Sequence, residues 1–298
     1  MFVLWNFGKR GRLMKKVILP ILNVNISHLS RWIPKREPNS HKGNYGRVLL
    51  LCGAEGYTGA PVLAARAAAR CGAGLIYLGV PRSVYPIVAG KLTEPMVFPL
   101  PDREGKLCED AIPEILSRLG NMDACLVGCG LGQSEGVQTV VKAVLQNAKC
   151  PVILDADGIN VLCGHMDIVR DAACPVILTP HDGEFIRMGG DLSSRFRGVK
   201  ELSEDLGATI LLKGHETLIC GTVCYKNTTG NPGMATGGSG DALAGIILSL
   251  LGQGLSPIKA TALGAWIHGR AGDLCEKDYG QMGMLPSDIV EMLPRLLP

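Results

Sequence analysis

Aromatic residues and long apolar runs are both scarce in this chain of 298 residues. Phe, Trp and Tyr together make up 5% of it, which argues against an aromatic stacking platform for nucleic acid. No apolar run reaches the ~18–20 residues that a membrane-spanning helix requires. The run at residues 17–22 is too short and too interrupted by proline to be the core of a secretory signal. We therefore predict a soluble, cytoplasmic protein with neither membrane nor nucleic acid as a partner.

The cysteines show no pairing pattern of the kind found in secreted domains. There are eleven, an odd number, and they are scattered from Cys52 to Cys275. Several lie in apolar, strand-like runs, so we predict reduced thiols in the core. Cys220 and Cys224 flank a short turn, but no second pair follows, so the spacing does not predict a zinc site.

The charge is unevenly distributed along the chain. Residues 1–47 hold ten Lys or Arg and one acid, which leaves a mildly acidic remainder. We predict a basic N-terminal extension, residues 1–34, followed by one domain, residues 35–298, with Met14 as an alternative start. The extension is interpreted as a solvated segment. The alternative is contact with a membrane or with nucleic acid. Nucleic-acid binding would have an affinity that is sensitive to salt and is lost when the extension is deleted.

Short apolar runs alternate with alanine-rich or amphipathic stretches, an order typical of stacked βαβ units in an α/β fold. The predicted strands are residues 48–52, 75–80, 124–127, 151–155, 176–179 and 209–212, followed by a hairpin of 217–220 and 223–225. The predicted helices are residues 60–71, 111–119, 138–147, 183–188, 241–251, 258–275 and 286–296. The carboxyl ends of parallel strands meet at one edge of the sheet, where open α/β folds place their ligands.

The most informative stretch is a glycine-rich loop, residues 231–241, that ends in Asp241 and runs into an apolar, helix-like segment. Backbone N–H groups of Gly238, Ser239 and Gly240 can turn toward one point, where the helix dipole adds positive potential. No Walker A lysine-serine pair and no dinucleotide fingerprint accompany the loop. A carboxylate among anion donors predicts proton transfer or a metal rather than simple phosphate binding. The alternative is that Asp241 only caps the helix.

Further motifs follow the other predicted strands. They are residues 53–60, 128–132, 155–158, 179–185 and 213–217. Asp155 and Asp157 alternate at a strand end and could support a metal or a lysine, or one of them could be structural. Lys213 suits holding nucleotide phosphates as a point charge, with a solvated strand end as the alternative. His181 follows a proline and precedes two acids, which favours a functional site over a core histidine.

Two other side chains have simpler interpretations. Glu184 could be an acid in the first turn of a helix, favoured there by the dipole. His268 has helical spacing to Trp266 and Arg270, so we predict a packing or surface role for it.

The order of these motifs resembles that of the ADP/ATP-dependent NAD(P)H-hydrate dehydratases of the ribokinase-like superfamily. The matching motifs are residues 40–46, 59–60, 70–75, 128–132, 154–157, 178–185, 212–217 and 236–241, and the match covers residues 35–298. The resemblance implies a three-layer α/β/α sandwich with a mostly parallel central sheet. It also implies repair of damaged nicotinamide cofactor, by phosphorylating the extra ring hydroxyl of hydrated NADH or NADPH and eliminating phosphate. Cys129 stands where the family pattern has proline or another residue.

The resemblance also assigns roles to individual residues. Contacts to the hydrated dinucleotide are implied for Ala60, Gly130, His181 and Asp241. Contacts to the nucleotide are implied for Lys213, Gly214, His215, Glu216, Thr217 and Gly240. Asp241 is the expected base, the N–H groups of residues 238–240 form the expected anion hole, and Mg²⁺ is expected to bind through phosphate oxygens and water.

The implied partners are hydrated NADH or NADPH of the S form, ADP or ATP, further copies of the chain in a homotetramer, and a separate epimerase. Two alternatives stay open. One is a ribokinase-like kinase that acts on a hydroxyethylthiazole or hydroxymethylpyrimidine alcohol, and the other is a non-catalytic nucleotide-binding regulator.

Overall fold

The computed structural model describes residues 4–7, 13–16, 21–33 and 35–298. Its strands are β1 (Leu4–Phe7), β2 (Leu13–Lys16), β3 (Ile21–Asn23), β4 (Arg47–Leu51), β5 (Leu75–Pro81), β6 (Met96–Leu100), β7 (Asp102–Arg103), β8 (Lys106–Leu107), β9 (Ala124–Val127), β10 (Val152–Leu154), β11 (Val176–Leu178), β12 (Thr209–Leu212), β13 (Thr217–Cys220) and β14 (Cys224–Asn227). Its α-helices are α1 (Ile26–Trp32), α2 (Gly59–Arg70), α3 (Tyr85–Ala89), α4 (Ile112–Leu119), α5 (Glu135–Asn147), α6 (Asp157–Asn160), α7 (Asp167–Arg170), α8 (Asp182–Arg187), α9 (Arg195–Leu206), α10 (Ser239–Gly252), α11 (Pro257–Gly283) and α12 (Pro286–Met292).

Ten of these strands form one sheet, in the order β3-β14-β13-β12-β11-β10-β9-β4-β5-β6. Every neighbouring pair from β12 to β6 is parallel. Strand β13 runs antiparallel to both β12 and β14, and β14 pairs in parallel with β3. The predicted mostly parallel sheet is therefore confirmed, with the predicted hairpin at one side of it.

The sheet is buried on both faces because successive side chains of a strand point in opposite directions. Val48 and Leu50 pack into one core together with residues of α2, α10, α11 and α12. Leu49 and Leu51 pack into a second core, which holds residues of α4, α5 and α9. The predicted three-layer α/β/α arrangement follows from these two cores. Among the helices of the described residues, none combines the length and apolarity needed to cross a membrane.

Part of the predicted N-terminal extension belongs to the sheet. Strand β3 pairs with β14, with Ile21 opposite Cys224 and Leu22 opposite Tyr225. In α1, the Trp32 ring stands edge-on to Tyr225, with ring centroids 5.9 Å apart. The predicted boundary after residue 34 is therefore not the boundary of the sheet. Residues 1–3, 8–12, 17–20 and 34 of the extension lie outside the described residues.

The prediction of reduced thiols is wrong for one pair of cysteines. Cys220 and Cys224 lie opposite each other in the antiparallel register of β13 and β14 and are joined by a disulfide. A tight hairpin brings directly opposed side chains close together, which is the physical reason for the pairing. The other nine cysteines are free, and most of them are buried.

Candidate active site

The glycine-rich loop forms the start of α10, as the sequence predicts. Gly238 is the residue before the helix, and its φ of 99° lies in the left-handed region that glycine adopts without strain. No side chain caps this helix start, so the positive end of the dipole faces outward from the first turn. Of the three predicted anion donors, the Ser239 N–H already donates to the Thr236 carbonyl at 3.3 Å.

Asp241 lies in the first turn of α10 and is partly buried. Burial and the nearby carboxylate of Asp155 raise the pKa of Asp241 to about 6, against the opposing effects of a hydrogen bond from Cys129 and the charge of Lys213. A carboxylate that titrates near neutral pH can accept a proton from a hydroxyl and release it again. The geometry therefore suits a general base beside an anion site.

Asp155, which follows β10, is buried at 2% exposure and satisfied on both oxygens. Its Oδ1 accepts hydrogen bonds from Lys213 Nζ at 3.0 Å and Thr179 Oγ1 at 2.7 Å. Its Oδ2 accepts one from the Cys129 thiol at 3.5 Å. The interpretation that this strand end supports a lysine is confirmed for Asp155. Asp157 instead accepts a hydrogen bond from the Gly132 N–H at 2.9 Å.

Lys213 lies between two carboxylates, with Nζ 3.0 Å from Asp155 Oδ1 and 3.8 Å from Glu184 Oε2. Burial alone would lower the pKa of Lys213, but the charges of Asp155 and Glu184 outweigh it and raise that pKa. A Cβ placed on Gly240 would lie 3.5 Å from Nζ. The lysine is therefore a fixed positive charge beside the uncapped start of α10.

The rest of the predicted nucleotide segment lies at the surface. His215 is exposed, and Glu216 forms an exposed ion pair with Lys226 at 2.7 Å. Thr217 Oγ1 donates to the Gly214 carbonyl at 3.0 Å. Sequence reasoning missed Arg195 at the start of α9, whose Nη2 donates to the Lys213 carbonyl at 3.1 Å. A second cation therefore lies next to the predicted nucleotide segment.

Two predicted substrate contacts lie side by side. A Cβ placed on Gly130 would lie 3.0 Å from Ala60 Cβ, near the start of α2, and 2.8 Å from Tyr57 Cβ. The Tyr57 side chain is 57% exposed. A side chain at Gly130 would therefore collide with the segment that begins α2, and the φ of 63° at Gly130 also favours glycine.

His181 is linked to Lys213 through Glu184. Its Nδ1 accepts hydrogen bonds from the N–H groups of Gly183 and Glu184, at 3.0 and 3.3 Å. The Glu184 carboxylate in return accepts one from the His181 N–H at 2.9 Å, which makes a capping box around the start of α8. Glu184 is thus a first-turn acid, as predicted, and also a partner of Lys213.

His268 takes the packing role, one of the two predicted for it, and also contacts the start of α10. It is buried in α11, and its Nε2 lies 3.4 Å from Ser239 Oγ in the start of α10. Burial and the charge of Lys213 lower the pKa of His268 to about 4, so the ring is neutral at physiological pH. Nothing in the apolar sequence around it indicates a contact with a loop 29 residues away.

One cluster of three potential metal ligands occurs in the described part of the chain. It consists of Cys129, Asp155 and Asp241, whose ligand atoms lie within 4.8 Å of one another. Mg²⁺ takes oxygen ligands in octahedral geometry, whereas this cluster includes a protonated thiol, and Lys213 already balances Asp155. The cluster therefore does not fit Mg²⁺.

The fold and the open start of α10 define a ribokinase-like α/β protein. A ribokinase-like superfamily protein of Enterococcus faecalis superposes with a TM-score of 0.80 at 29% identity, covering 92% of this chain and 94% of that one. The family model for NAD(P)H-hydrate dehydratase matches residues 48–295. The chain belongs to this family, which confirms the resemblance.

The relatives of this chain include dehydratases and bifunctional repair enzymes. The ADP-dependent (S)-NAD(P)H-hydrate dehydratase of Neisseria meningitidis is 37% identical over 85% of this chain and 86% of its own length. The Bacillus subtilis ADP/ATP-dependent dehydratase co-crystallised with ATP/Mg²⁺ superposes with a TM-score of 0.79 at 32% identity, covering 94% and 98% of the two chains. The bifunctional NAD(P)H-hydrate repair enzyme Nnr of Moorella thermoacetica is 42% identical over 89% of this chain, which spans 52% of that relative.

Proposed function

We propose that the chain catalyses the ADP- or ATP-dependent dehydration of (S)-hydrated NADH or NADPH back to NAD(P)H. The observation that carries the proposal is a partly buried carboxylate, Asp241, in the first turn of a helix whose start is uncapped and flanked by Lys213. That arrangement provides a base and an anion site at one point. Family membership narrows the acceptor to the hydrated nicotinamide ring.

In the proposed first step the ring hydroxyl oxygen forms a bond to the terminal phosphorus of the nucleotide. The bond from that phosphorus to the bridging oxygen breaks, and the hydroxyl proton passes to Asp241. The N–H groups of Gly238 and Gly240, with the Lys213 ammonium, stabilise the charge on the transferred group. In the second step the ring carbon-oxygen bond breaks, phosphate leaves with the electron pair, and loss of a proton from the neighbouring ring carbon restores the double bond.

The remaining binding roles are proposed from the positions of the residues in the structure. Ala60, Gly130 and His181 would contact the hydrated dinucleotide, and residues 213–217 with Gly240 would contact the nucleotide. Mg²⁺ would arrive with the nucleotide and bind through its phosphate oxygens and water, in line with the ATP/Mg²⁺ complex of the Bacillus subtilis relative. A homotetramer, a cytoplasmic location and a separate epimerase stay predictions.

The test is to incubate the purified chain with hydrated NADH, Mg²⁺ and either ADP or ATP, and to follow the return of the reduced-nicotinamide absorbance. We expect recovery that depends on the nucleotide. Absence of recovery, with nucleotide consumed only when a thiazole or pyrimidine alcohol is present, would replace the proposal by a small-molecule kinase. The structural likeness to a hydroxyethylthiazole kinase, at 12% identity, supports a common fold alone.

A further inference from the structure

Three groups of Lys213 are held at the start of α8, one of them through a residue of α9. The Lys213 N–H donates to the Pro180 carbonyl at 2.9 Å, and its ammonium lies 3.8 Å from Glu184. Its carbonyl accepts a hydrogen bond from Arg195 Nη2 at 3.1 Å. Arg195 Nη1 in turn lies 2.5 and 2.6 Å from the two carboxylate oxygens of Asp182. Arg195 therefore links the backbone of Lys213 to the first turn of α8.

The chain after Lys213 forms a turn with an unusual backbone. Gly214 has a φ of 150°, and a Cβ there would lie 2.8 Å from Arg195 Nη2, so a side chain would collide with the guanidinium. Glu216 has a φ of 58°, in the left-handed region that residues with side chains disfavour. The Arg195 contact therefore fixes the first peptide group of a strained turn.

The orientation of that peptide group decides where the Gly214 N–H points. A trans peptide is planar, and its C=O and N–H point in opposite directions. Since the Lys213 carbonyl is directed at Arg195, the Gly214 N–H is directed away from the guanidinium. No acceptor for that N–H lies among the residues that the structure describes. Gly214 is exposed, so this donor is open to a ligand.

The charge of Arg195 is already balanced. Its Nη1 contacts both carboxylate oxygens of Asp182, and the two side chains are 33% and 51% exposed. A partly exposed ion pair of this kind adds little to the stability of a fold. The contact with the Lys213 carbonyl is therefore the feature of Arg195 that bears on the site.

We propose that Arg195 is a positioning residue for the nucleotide. Held by Asp182, it fixes the peptide group between Lys213 and Gly214 so that the Gly214 N–H donates to the bound ADP or ATP. The inference rests on the proposed function, because it concerns the nucleotide segment of that reaction, residues 213–217. It gives a role to a residue that lies outside all the sequence motifs of the site.

The experiment is a calorimetric titration of the full chain with ADP and with ATP, each with Mg²⁺. We expect Arg195→Ala to weaken the binding of both nucleotides about tenfold, an effect of the size that loss of one charge-assisted hydrogen bond produces. Arg195→Lys keeps the charge but loses the forked guanidinium that reaches two partners. It should therefore not restore the affinity.

The matched control is Arg197→Ala, which removes an exposed arginine from the same helix. Arg197 pairs with Glu201 at 3.6 Å, one turn along α9, and its loss should leave nucleotide affinity unchanged. Arg195→Ala and Arg197→Ala should unfold at the same urea concentration, because both ion pairs are partly exposed. Earlier unfolding of Arg195→Ala alone, with the affinity of the folded chain retained, would show that Arg195 serves only the fold.

The sign of the change in Asp182→Ala separates positioning from direct contact with phosphate. This variant removes a negative charge and leaves the Arg195 cation in place. If Arg195 bound phosphate directly, loss of Asp182 would release it, and nucleotide binding would tighten. We expect weaker binding instead. The double variant should bind no more weakly than Arg195→Ala alone, because Asp182 acts through Arg195.

Three results would overturn the inference: unchanged affinity in Arg195→Ala, full affinity in Arg195→Lys, or tighter binding in Asp182→Ala. Should Arg195→Ala fail to fold, Arg195→Lys and Asp182→Ala still decide the question.

The binding result and the proposed function can fail separately. Calorimetry needs no hydrated substrate, so the expected losses of affinity without hydrate repair would keep the inference and reject the dehydratase. If the chain does repair the hydrate, Arg195→Ala should raise the KM for the nucleotide more than it lowers kcat. Hydrate repair with an unchanged nucleotide KM in that variant would retain the function and reject the positioning role.

Discussion

The starts of the helices α8 and α10 lie on either side of Lys213 and differ in how they are capped. The start of α8 is closed, because His181 and Glu184 satisfy its first N–H groups in a capping box. The start of α10 is open, because the preceding residue is Gly238, which has no side chain to cap it. At these two helix starts, the residue before the helix decides whether the first N–H groups are satisfied by a side chain or left free for a ligand.

The two helix starts are also connected. Glu184 of α8 lies 3.8 Å from Lys213, and that lysine lies beside Gly240 of α10. Glu184, which the capping box of α8 holds in place, therefore helps to fix the Lys213 ammonium beside the start of α10.

The largest expected effect is that of removing the carboxylate from the open start. Asp241→Asn keeps the size and shape of the side chain but cannot accept the hydroxyl proton, so kcat should fall by about 10²–10⁴-fold. Nucleotide affinity, measured by calorimetry, should change little because the anion donors are backbone groups. Turnover near that of the parent chain would reject Asp241 as the base.

A smaller effect is expected from adding a methyl group at the open start. At Gly238 the φ is 99°, and a Cβ would lie 2.6 Å from Leu63 Cδ1. Gly238→Ala should therefore cost about 1–2 kcal/mol of unfolding free energy and lower kcat by at least about tenfold, because the loop must shift.

Gly237→Ala is the matched control in the same loop. A Cβ at Gly237 meets no atom within 4 Å, and its φ lies outside the left-handed region. Equal losses in the two variants, by kinetics and chemical denaturation, would show that the loop tolerates no side chain anywhere and that the conformation of Gly238 is not the cause.

The smallest expected effect is at the closed start. His181→Ala removes the capping acceptor and should cost about 1 kcal/mol of unfolding free energy. His181→Asn supplies another side-chain acceptor suited to a helix start and should restore most of that stability. If Asn also restores the KM for the hydrate, the imidazole has no role in substrate binding and His181 serves only the cap.

The sequence predicted the elements whose local pattern is strong. The apolar runs of β9 and β12 have the predicted bounds. The sequence reasoning missed α9, whose residues Arg195–Leu206 are mostly charged or polar, and β6, which contains a proline. It also missed β3, because a three-residue edge strand carries little periodicity.

In the site, backbone conformation was easier to predict than side-chain partners. The glycine loop and Asp241 follow from local sequence, since they occupy one short segment. The contacts of Lys213 with Asp155 and of Ser239 with His268 join residues 58 and 29 positions apart. Such contacts depend on the order of strands and helices in space, which motif spacing does not contain.

In the proposed reaction a phosphoryl group passes from the nucleotide to the substrate hydroxyl at the start of α10, with Asp241 as the base. Loss of phosphate then dehydrates the substrate. The most direct measurement is the ratio of phosphate released to reduced nicotinamide regained, with hydrated NADH and ADP or ATP in one reaction. We expect one phosphate per reduced nicotinamide, and neither product with Asp241→Asn. Regained nicotinamide without cleavage of the nucleotide, or cleavage without regained nicotinamide, would contradict it.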